Sequence, residues 1–333
     1  MDPLGATLLR GHTAEQDTEK ICDTKGAYDS LDLEMIVDDY LPRTNFVPAC
    51  DKKQYIARMQ EFHGRPISTY YRHVHRRRLA TNGERSVMPA IIPPHVGHID
   101  QVFSMAFDST ATMISTNALF SSLVLDFYVR STGKGDLRKD LLGMLPIVTE
   151  HSRQRGDLVS RALRLNCLTM HYADLWNEMW PQAVSEGWTS TDKRLSPWPG
   201  RNTKWSRGSA VRNAFERRWA LVEIDALAAL ELGLTLAELC TIYRTQFPVL
   251  RGYESEAWFD ARGREFTVSN GKVGLVVSPK SFDLWQEHLR TGAPLPPDFD
   301  RKNLVPPFER RDREEDMGHA YEHFARTLGR GRA

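Results

Sequence analysis

The stretch that decides the fold of the first half of the chain is Gly83-Glu-Arg-Ser-Val-Met-Pro-Ala-Ile-Ile-Pro-Pro94. Residues 81–84 carry the Asn-Gly turn signal, and the β-branched residues within 87–92 favour a strand directly after the turn. A second extended stretch, residues 67–74, precedes the turn. We therefore predict a β-hairpin whose tip and flanks are basic.

Helical spacing of apolar residues appears downstream of this hairpin. It predicts one helix over residues 117–129, with Asn117 as N-cap, and a second over residues 158–180, which Pro181 would stop. Residues 187–208 contain too many prolines and glycines for a helix. We expect a long surface loop there.

A helical hairpin is predicted in the second half. Apolar residues form one stripe from Ala210 to Leu232, and Gly233 marks the C-terminal stop. Thr235-Leu-Ala-Glu238 has the spacing of a capping box, so a second helix follows and closes near Pro248. The connection is short, so the two helices must pack against each other. Four residues are expected at the centre of that core: Val222, Ala226, Leu239 and Ile242.

Together these patterns predict an α+β chain. We expect a mixed β-sheet region with buttressing helices over residues 46–150, then a mainly helical region over residues 151–333 with a short β unit near 257–277 and a final charged helix near 310–328. Residues 1–45 are polar and acidic and lack a sustained period, which predicts a linker or the remnant of a missing upstream domain. A length of 333 residues also favours two domains.

Composition excludes several classes of protein. With 41% hydrophobic and 26% charged residues, the chain is neither disordered nor a membrane protein, and no run approaches the length of a transmembrane helix. The amino terminus lacks a basic start followed by an apolar stretch, so we expect a cytoplasmic protein. The cysteines lie far apart without a Cys-x-x-Cys pair, which disfavours a zinc site and a disulfide framework.

Positive charge is concentrated locally although the net charge is only +1. Acidic residues are concentrated elsewhere, in residues 23–39 and 312–316. Such local patches favour a nucleic-acid partner, although any single arginine could equally belong to a solvated face. The first basic stretch contains Arg72, His73, His75, Arg76, Arg77, Arg78 and Arg85, and the second contains Arg201, Lys204, Arg207, Arg212, Arg217 and Arg218.

Several motifs follow one another in a recognisable order across residues 65–325. They are Arg76-Arg-Arg-Leu79, Gly83-Glu-Arg-Ser86, Ala90-Ile-Ile-Pro93, Ser122-Leu-Val-Leu-Asp-Phe-Tyr-Val-Arg130 with Leu145-Pro146, and the helical hairpin 222–248. In this order the chain resembles the carboxy-terminal target-recognition region of large adenine-N6 DNA methyltransferases of restriction-modification and phage-defence systems. Ser86 stands where threonine is usual and keeps the hydroxyl.

The resemblance implies sequence-specific recognition of double-stranded DNA. Arginines and an amide at a hairpin turn can present donors to base edges, and the other cations can neutralise phosphates. Arg130 and Lys134 are phosphate candidates beside Gly133 and Gly135. The candidate DNA-binding residues are Arg76, Arg77, Arg78, Asn82, Arg85, Arg130 and Lys134.

The motifs for catalysis in that family are missing. There is no glycine-rich S-adenosylmethionine loop after a predicted strand, and Asn303-Leu-Val-Pro-Pro-Phe308 has Val305 where the catalytic asparagine would stand. We expect no catalytic residue and no cofactor in this chain. S-adenosylmethionine would belong to a separate catalytic methyltransferase chain, unless the chain is the remnant of a truncated gene. The alternative is a protein-interaction scaffold that does not touch DNA.

Two smaller features carry weaker expectations. His73-x-His75 and His95-x-x-His98 are thin support for a metal site, so we expect none. Trp198 could stack on an extruded base or anchor the long loop, as could Trp205, and we expect the anchor.

Overall fold

The computed structural model describes residues 31–41, 48–80, 83–183, 185–271 and 274–330. Thr81 and Asn82, the first two residues of the predicted turn, lie outside these residues. Of the linker expected over residues 1–45, only residues 31–41 are described.

A three-stranded antiparallel sheet organises the first half of the chain. Strand β3 (Arg72–Arg76) lies between β4 (Pro89–Ile92) and β5 (Val102–Met105). The pairing of β3 with β4, with Val74 opposite Ala90, confirms the antiparallel pairing of the predicted hairpin, whereas residues 67–69 form a 3-10 turn instead of continuing the extended first arm. Three short elements precede this sheet: α1 (Lys52–Ala57), β1 (Glu61–Phe62) and β2 (Arg65–Pro66).

Two helices, rather than the single helix predicted over 117–129, pack behind the sheet. Helix α2 (Thr110–Phe120) starts at the Ser109 cap, and α3 (Leu123–Ser131) starts at the Ser122 cap. The break has a local cause, since the Ser122 hydroxyl accepts from the Leu125 N–H at 3.2 Å and competes with helix continuation. A four-residue helix, α4 (Lys139–Leu142), follows.

The helix predicted over 158–180 is also divided. Helix α5 (Arg155–Asn166) ends at Cys167, where the backbone leaves helical geometry. A 3-10 turn (Met170–Tyr172) connects it to α6 (Ala173–Met179), and a second one (Trp180–Gln182) contains Pro181. Between 187 and 208 there is no α-helix among the described residues, which confirms the long loop.

The helical hairpin is confirmed. Helix α7 (Ala214–Glu231) ends before Gly233, whose φ of 73° needs glycine, and α8 (Leu236–Gln246) starts with the predicted capping box. Pro248 does not simply close α8. It is the first residue of α9 (Pro248–Glu256), a position that suits proline because its missing N–H would be unbonded there.

The short β unit and the final helix are also present. Strands β6 (Ala257–Phe259) and β7 (Glu265–Val268) pair antiparallel, and β8 (Val276–Val277) adds in parallel to β7. Helix α10 (Pro279–Thr291) packs on this sheet through Phe282 and Trp285. Helix α11 (Arg313–Arg330) closes the described chain and packs against α7.

The main hydrophobic core joins helices from both halves of this α+β chain. It includes Met113 and Leu119 of α2, Leu163 of α5, and the hairpin residues Val222 and Leu239. The core therefore extends across residue 150, where the sequence predicted a domain boundary. Residues 31–41 also pack on the protein, since Leu33, Ile36 and Tyr40 are buried against Leu168 and Ala210. No helix in the described ranges has both the length and the apolar character needed to cross a membrane.

Candidate nucleic-acid interface

Three of the predicted DNA-binding residues lie at the carboxy-terminal end of β3. Arg76 is the last residue of that strand, and Arg77 and Arg78 follow it. Arg78 then forms an isolated antiparallel bridge with Asp136. This bridge brings the loop over residues 133–139, which follows α3, to the same edge of the sheet.

Five cations lie on the two segments that this bridge joins, and we call them the basic surface: Arg76, Arg78, Lys134, Arg138 and Lys139. Arg78 and Lys139 are exposed, and the Lys134 and Arg138 side chains are 52% and 48% exposed. Arg76, Arg78 and Lys139 have no side-chain hydrogen bond or ion pair within the described part of the chain.

Three acidic residues lie among these cations. Lys134 donates to Asp140 at 3.2 Å, and Arg138 donates to Asp136 at 3.4 Å and lies 3.9 Å from Asp100. Since the cations outnumber the acids, the surface keeps a surplus of positive charge. Such a surplus attracts polyanions at long range.

Arg77 differs from the five cations because most of its side chain is covered. It is only 17% exposed, its Nη1 donates to Asp100, and its Nε lies 3.6 Å from Asp136. Its charge is therefore largely neutralised by acids of the same surface. Of the three consecutive arginines, Arg77 forms ion pairs that hold the segment in place, whereas Arg76 and Arg78 have no ion pair within the described residues.

Arg85 corrects the sequence-based expectation. The residue is 2% exposed, its Nη1 donates to the Ser121 carbonyl at 3.0 Å, and its Nη2 lies 3.6 Å from the buried Asp225. Burial lowers the pKa of its guanidinium, an effect that Asp225 opposes. A side chain enclosed in this way cannot reach a base edge without unfolding its surroundings.

Arg130 is corrected for a similar reason. Its side chain is 8% exposed, and its N–H groups donate to four acceptors within the protein. It therefore lacks the free donors that a phosphate contact requires. Lys134, the other phosphate candidate, remains at the surface.

The second basic stretch is mostly used for internal contacts. Arg207 donates to Asp38 at 2.7 Å, Arg217 donates to the Leu165 and Val211 carbonyls, and the Arg218 side chain is 9% exposed and pairs with acids. These arginines hold segments together, because backbone carbonyls and carboxylates occupy their donors. Arg201 and Lys204 stay exposed.

Arg138 and Lys139 were missed by the sequence reasoning. A signal was present, because they end the run Gly133-Lys-Gly-Asp-Leu-Arg-Lys139, which alternates cations with turn residues. What the sequence does not show is that this run bridges to Arg78.

A chain of buried hydrogen bonds supports β3 from behind. The His75 Nε2 lies 3.2 Å from the Leu137 carbonyl, which can only accept, so this nitrogen carries the proton. The His75 Nδ1 therefore accepts from the His73 Nε2 at 3.3 Å, and the His73 Nδ1 accepts from the Asn117 amide at 3.0 Å. Both imidazoles are neutral in this arrangement.

The same chain continues to the neighbouring elements. The Asn117 oxygen accepts from the Asn166 amide at 3.3 Å, and the Asn166 oxygen accepts from the Ile91 N–H at 3.0 Å. Burial lowers the pKa of His75 to about 4 and the pKa of His73 well below its usual value. The chain ties α2 and α5 to the sheet that carries Arg76.

The tryptophans of the long loop anchor it to the helices. The Arg161 and Arg164 guanidinium carbons lie 4.7 and 5.0 Å from the Trp198 ring centre. The Trp205 N–H donates to the Cys167 carbonyl at 2.9 Å. These rings are occupied by protein groups, as expected of loop anchors.

One small cleft lies between the two halves of the described chain. It measures about 80 Å³ and is lined by Arg85, Arg218, Tyr253, Glu254 and Arg313, among others. Ligand pockets for small molecules usually measure about 300–1,000 Å³, so this cleft is too small for a nucleotide cofactor. In the described part of the chain, no group of three or more His, Cys, Asp or Glu side chains is arranged to hold a metal ion.

Comparison with known proteins gave no match to a family model, to a curated protein or to a solved structure.

Proposed function

We propose that this protein binds double-stranded DNA through the basic surface. The observation that carries the proposal is the bridge between Arg78 and Asp136, which combines the end of β3 with the 133–139 loop. Cations from two distant parts of the sequence thereby lie on neighbouring segments. Exposed arginines and lysines with few internal partners are the groups that neutralise DNA phosphates.

The finer form of the proposal follows from the sequence motifs. The chain acts as the recognition part of a site-specific adenine-N6 DNA methyltransferase, and a separate catalytic chain supplies S-adenosylmethionine and the transfer step. In such a division, the recognition part holds the duplex while the catalytic part receives the flipped adenine. Arg76 and Arg78 are the candidates for base contacts because their donors are unoccupied.

A salt series tests the DNA-binding proposal. Anisotropy of a labelled pool of random duplexes should give an affinity that falls steeply with salt, because bound phosphates release counterions. Arg78→Ala and Lys139→Ala should each lower the slope of log K against log salt by about one unit if they contact phosphate, or cost about 1–3 kcal/mol if they contact a base.

Arg290→Ala is the matched control. Arg290 lies on α10, its side chain is 72% exposed, and it pairs only with Glu287. This variant should bind like the parent. The proposal fails if the parent does not bind duplex DNA at low salt, or if both surface variants bind with unchanged affinity and slope.

A second candidate function is docking to another protein. Met35 and Val37 are 75% and 50% exposed, and Met170 beside them is 52% exposed, with its N–H bonded to the Asp38 carbonyl. Exposed apolar side chains that lie together favour a protein contact. Met35→Ser with Val37→Ser would weaken such an association and leave the salt dependence of DNA binding unchanged.

A further inference from the structure

Residues 83–86 are held by one side chain of α3. The Arg130 Nη2 donates to the Gly83 carbonyl at 3.1 Å and to the Glu84 carbonyl at 3.2 Å. The Arg130 Nε donates to the Asp126 Oδ1 at 3.1 Å, one turn earlier in the same helix. The guanidinium thus connects the segment to the helix.

The Asp126 carboxylate, which pairs with Arg130, binds the same segment at Ser86. The Ser86 N–H donates to the Asp126 Oδ2 at 2.8 Å, and the Ser86 hydroxyl donates to the Ala80 carbonyl at 3.1 Å. Residues 83–86 are therefore fixed by the Arg130–Asp126 pair, and the Ser86 hydroxyl connects them to Ala80. Ala80 lies two residues after Arg78 of the basic surface.

The other side of the guanidinium faces the helical hairpin. The Arg130 Nη1 donates to the Gln246 carbonyl at 2.9 Å, at the end of α8, and the guanidinium carbon lies 4.4 Å above the Phe247 ring. Phe247 is fully buried. Arg130 thus fixes α3 between residues 83–86 and the helical hairpin.

We propose that Arg130 is a positioning residue for DNA binding: it holds residues 83–86 against α3 and so sets the orientation of the basic surface. The inference rests on the proposed DNA binding. Its geometric reason is that α3 leads through Gly133, with φ of 66°, directly into Lys134. One side chain therefore links α3, which leads to Lys134, with residues 83–86, which the Ser86 hydroxyl connects to Ala80, two residues after Arg78.

Lysine cannot replace arginine here. The contacts need a planar fork that reaches acceptors on three sides, whereas an ammonium group has three donors at one point. Arg130→Lys keeps the charge and should still weaken DNA binding, on the order of tenfold, without changing the salt slope. Lys134→Ala, which removes an exposed cation, should instead lower the slope by about one unit.

Hydrogen exchange gives a readout that does not depend on DNA. Amide protons of residues 83–86, and above all the Ser86 N–H bonded to Asp126, should exchange faster in Arg130→Lys than in the parent. Ser86→Ala removes only one hydroxyl contact and should show a smaller effect in the same direction, even if Arg130→Lys proves too unstable to purify. Arg290→Lys is the matched control and should leave exchange and binding unchanged.

The outcomes are distinguishable. Faster exchange together with weaker binding at unchanged slope supports the positioning role. Exchange and affinity equal to the parent would overturn it, as would weaker binding with unchanged exchange, because Arg130 would then act on the DNA directly. If the parent does not bind DNA, the proposed function fails and the positioning role fails with it, whereas the exchange data still show whether Arg130 holds the segment.

Discussion

Acidification should destabilise this protein through the buried histidine pair. In the folded state, His75 has a pKa of about 4 against a usual value of 6.5, because burial disfavours the charged ring. The unfolded chain therefore binds a proton between these values while the folded chain does not. The contribution is fully present above about pH 6.5 and is lost progressively as the pH falls to about 4.

The size of the effect follows from the gap between the two pKa values. At about 1.4 kcal/mol for each unit, the gap for His75 corresponds to about 3 kcal/mol. The pKa of His73 is lowered in the same direction, first by burial and then by His75, so the pair adds further destabilisation. A total stability of about 5–15 kcal/mol would be reduced substantially.

Urea titrations at a series of pH values between about 7 and 4.5 measure this loss as the free energy of unfolding. His75→Gln should flatten the pH dependence by about one proton relative to the parent, because glutamine can bond without titrating. His151→Gln is the control, since the His151 side chain is 88% exposed, and it should keep the parental slope. Carboxylates also bind protons near the lower end of this pH range, but the parent and the two variants contain the same carboxylates.

The hydrogen-bond assignment would be refuted by a parental free energy that stays level over this range. A slope in His75→Gln equal to that of the parent would refute it as well. Either result would mean that the buried rings accept protons while folded. The Asn117 amide would then have to turn so that its oxygen accepts from His73, and its hydrogen bond with the Asn166 amide would be lost.

Three further outcomes are expected. Ile242→Asp should destabilise the protein by about 3–5 kcal/mol in thermal or urea unfolding, because Ile242 is 7% exposed in the hairpin core, whereas Thr241→Asp at the exposed neighbouring position should not. Arg85→Ala should cost about 3–5 kcal/mol of stability, because Asp225 loses one of its partners in the interior, and a loss of DNA affinity without a loss of stability would contradict the buried assignment. Calorimetry of the purified chain with S-adenosylmethionine should show no stoichiometric binding, and a clear binding isotherm would overturn the proposed division between recognition and catalysis.

The parts of the fold that the sequence predicted well are those with local causes. Gly233 ends α7 because its backbone is left-handed, and Thr235 starts α8 because its hydroxyl caps the helix. The short connection then forces the hairpin to pack, whatever lies around it. The β-branched residues of β4 likewise predicted a strand, which pairs with β3.

Helix boundaries were less predictable because periodicity continues across the breaks. Apolar spacing alone does not distinguish one helix over 117–129 from α2 and α3 separated at Ser122. The N-cap assigned to Asn117 failed for a tertiary reason, since its amide lies buried mid-helix and donates to His73. A contact between an α2 residue and a β3 residue cannot be inferred from either segment alone.

The sequence also did not indicate which charged side chains of the candidate site are exposed. Arg78 and Arg85 lie seven positions apart in one basic stretch, yet one is exposed and the other is 2% exposed. The difference comes from Asp225 on α7, which attracts Arg85 inward and also accepts from Arg313 of α11 at 2.8 Å. No feature of the sequence near Arg85 indicates that its partner is Asp225, which lies far along the chain.

The number of arginines in a stretch is therefore a poor measure of its capacity to bind DNA. Arginines that meet buried carboxylates lose their free donors, and removing one partner of such a pair leaves an uncompensated charge inside the protein. Arg76, Arg78 and Lys139 remain available because the acids of this surface, Asp136 and Asp140, pair with Arg138 and Lys134. The strength of the DNA proposal thus depends on this local surplus, which the variants of Arg78 and Lys139 measure directly.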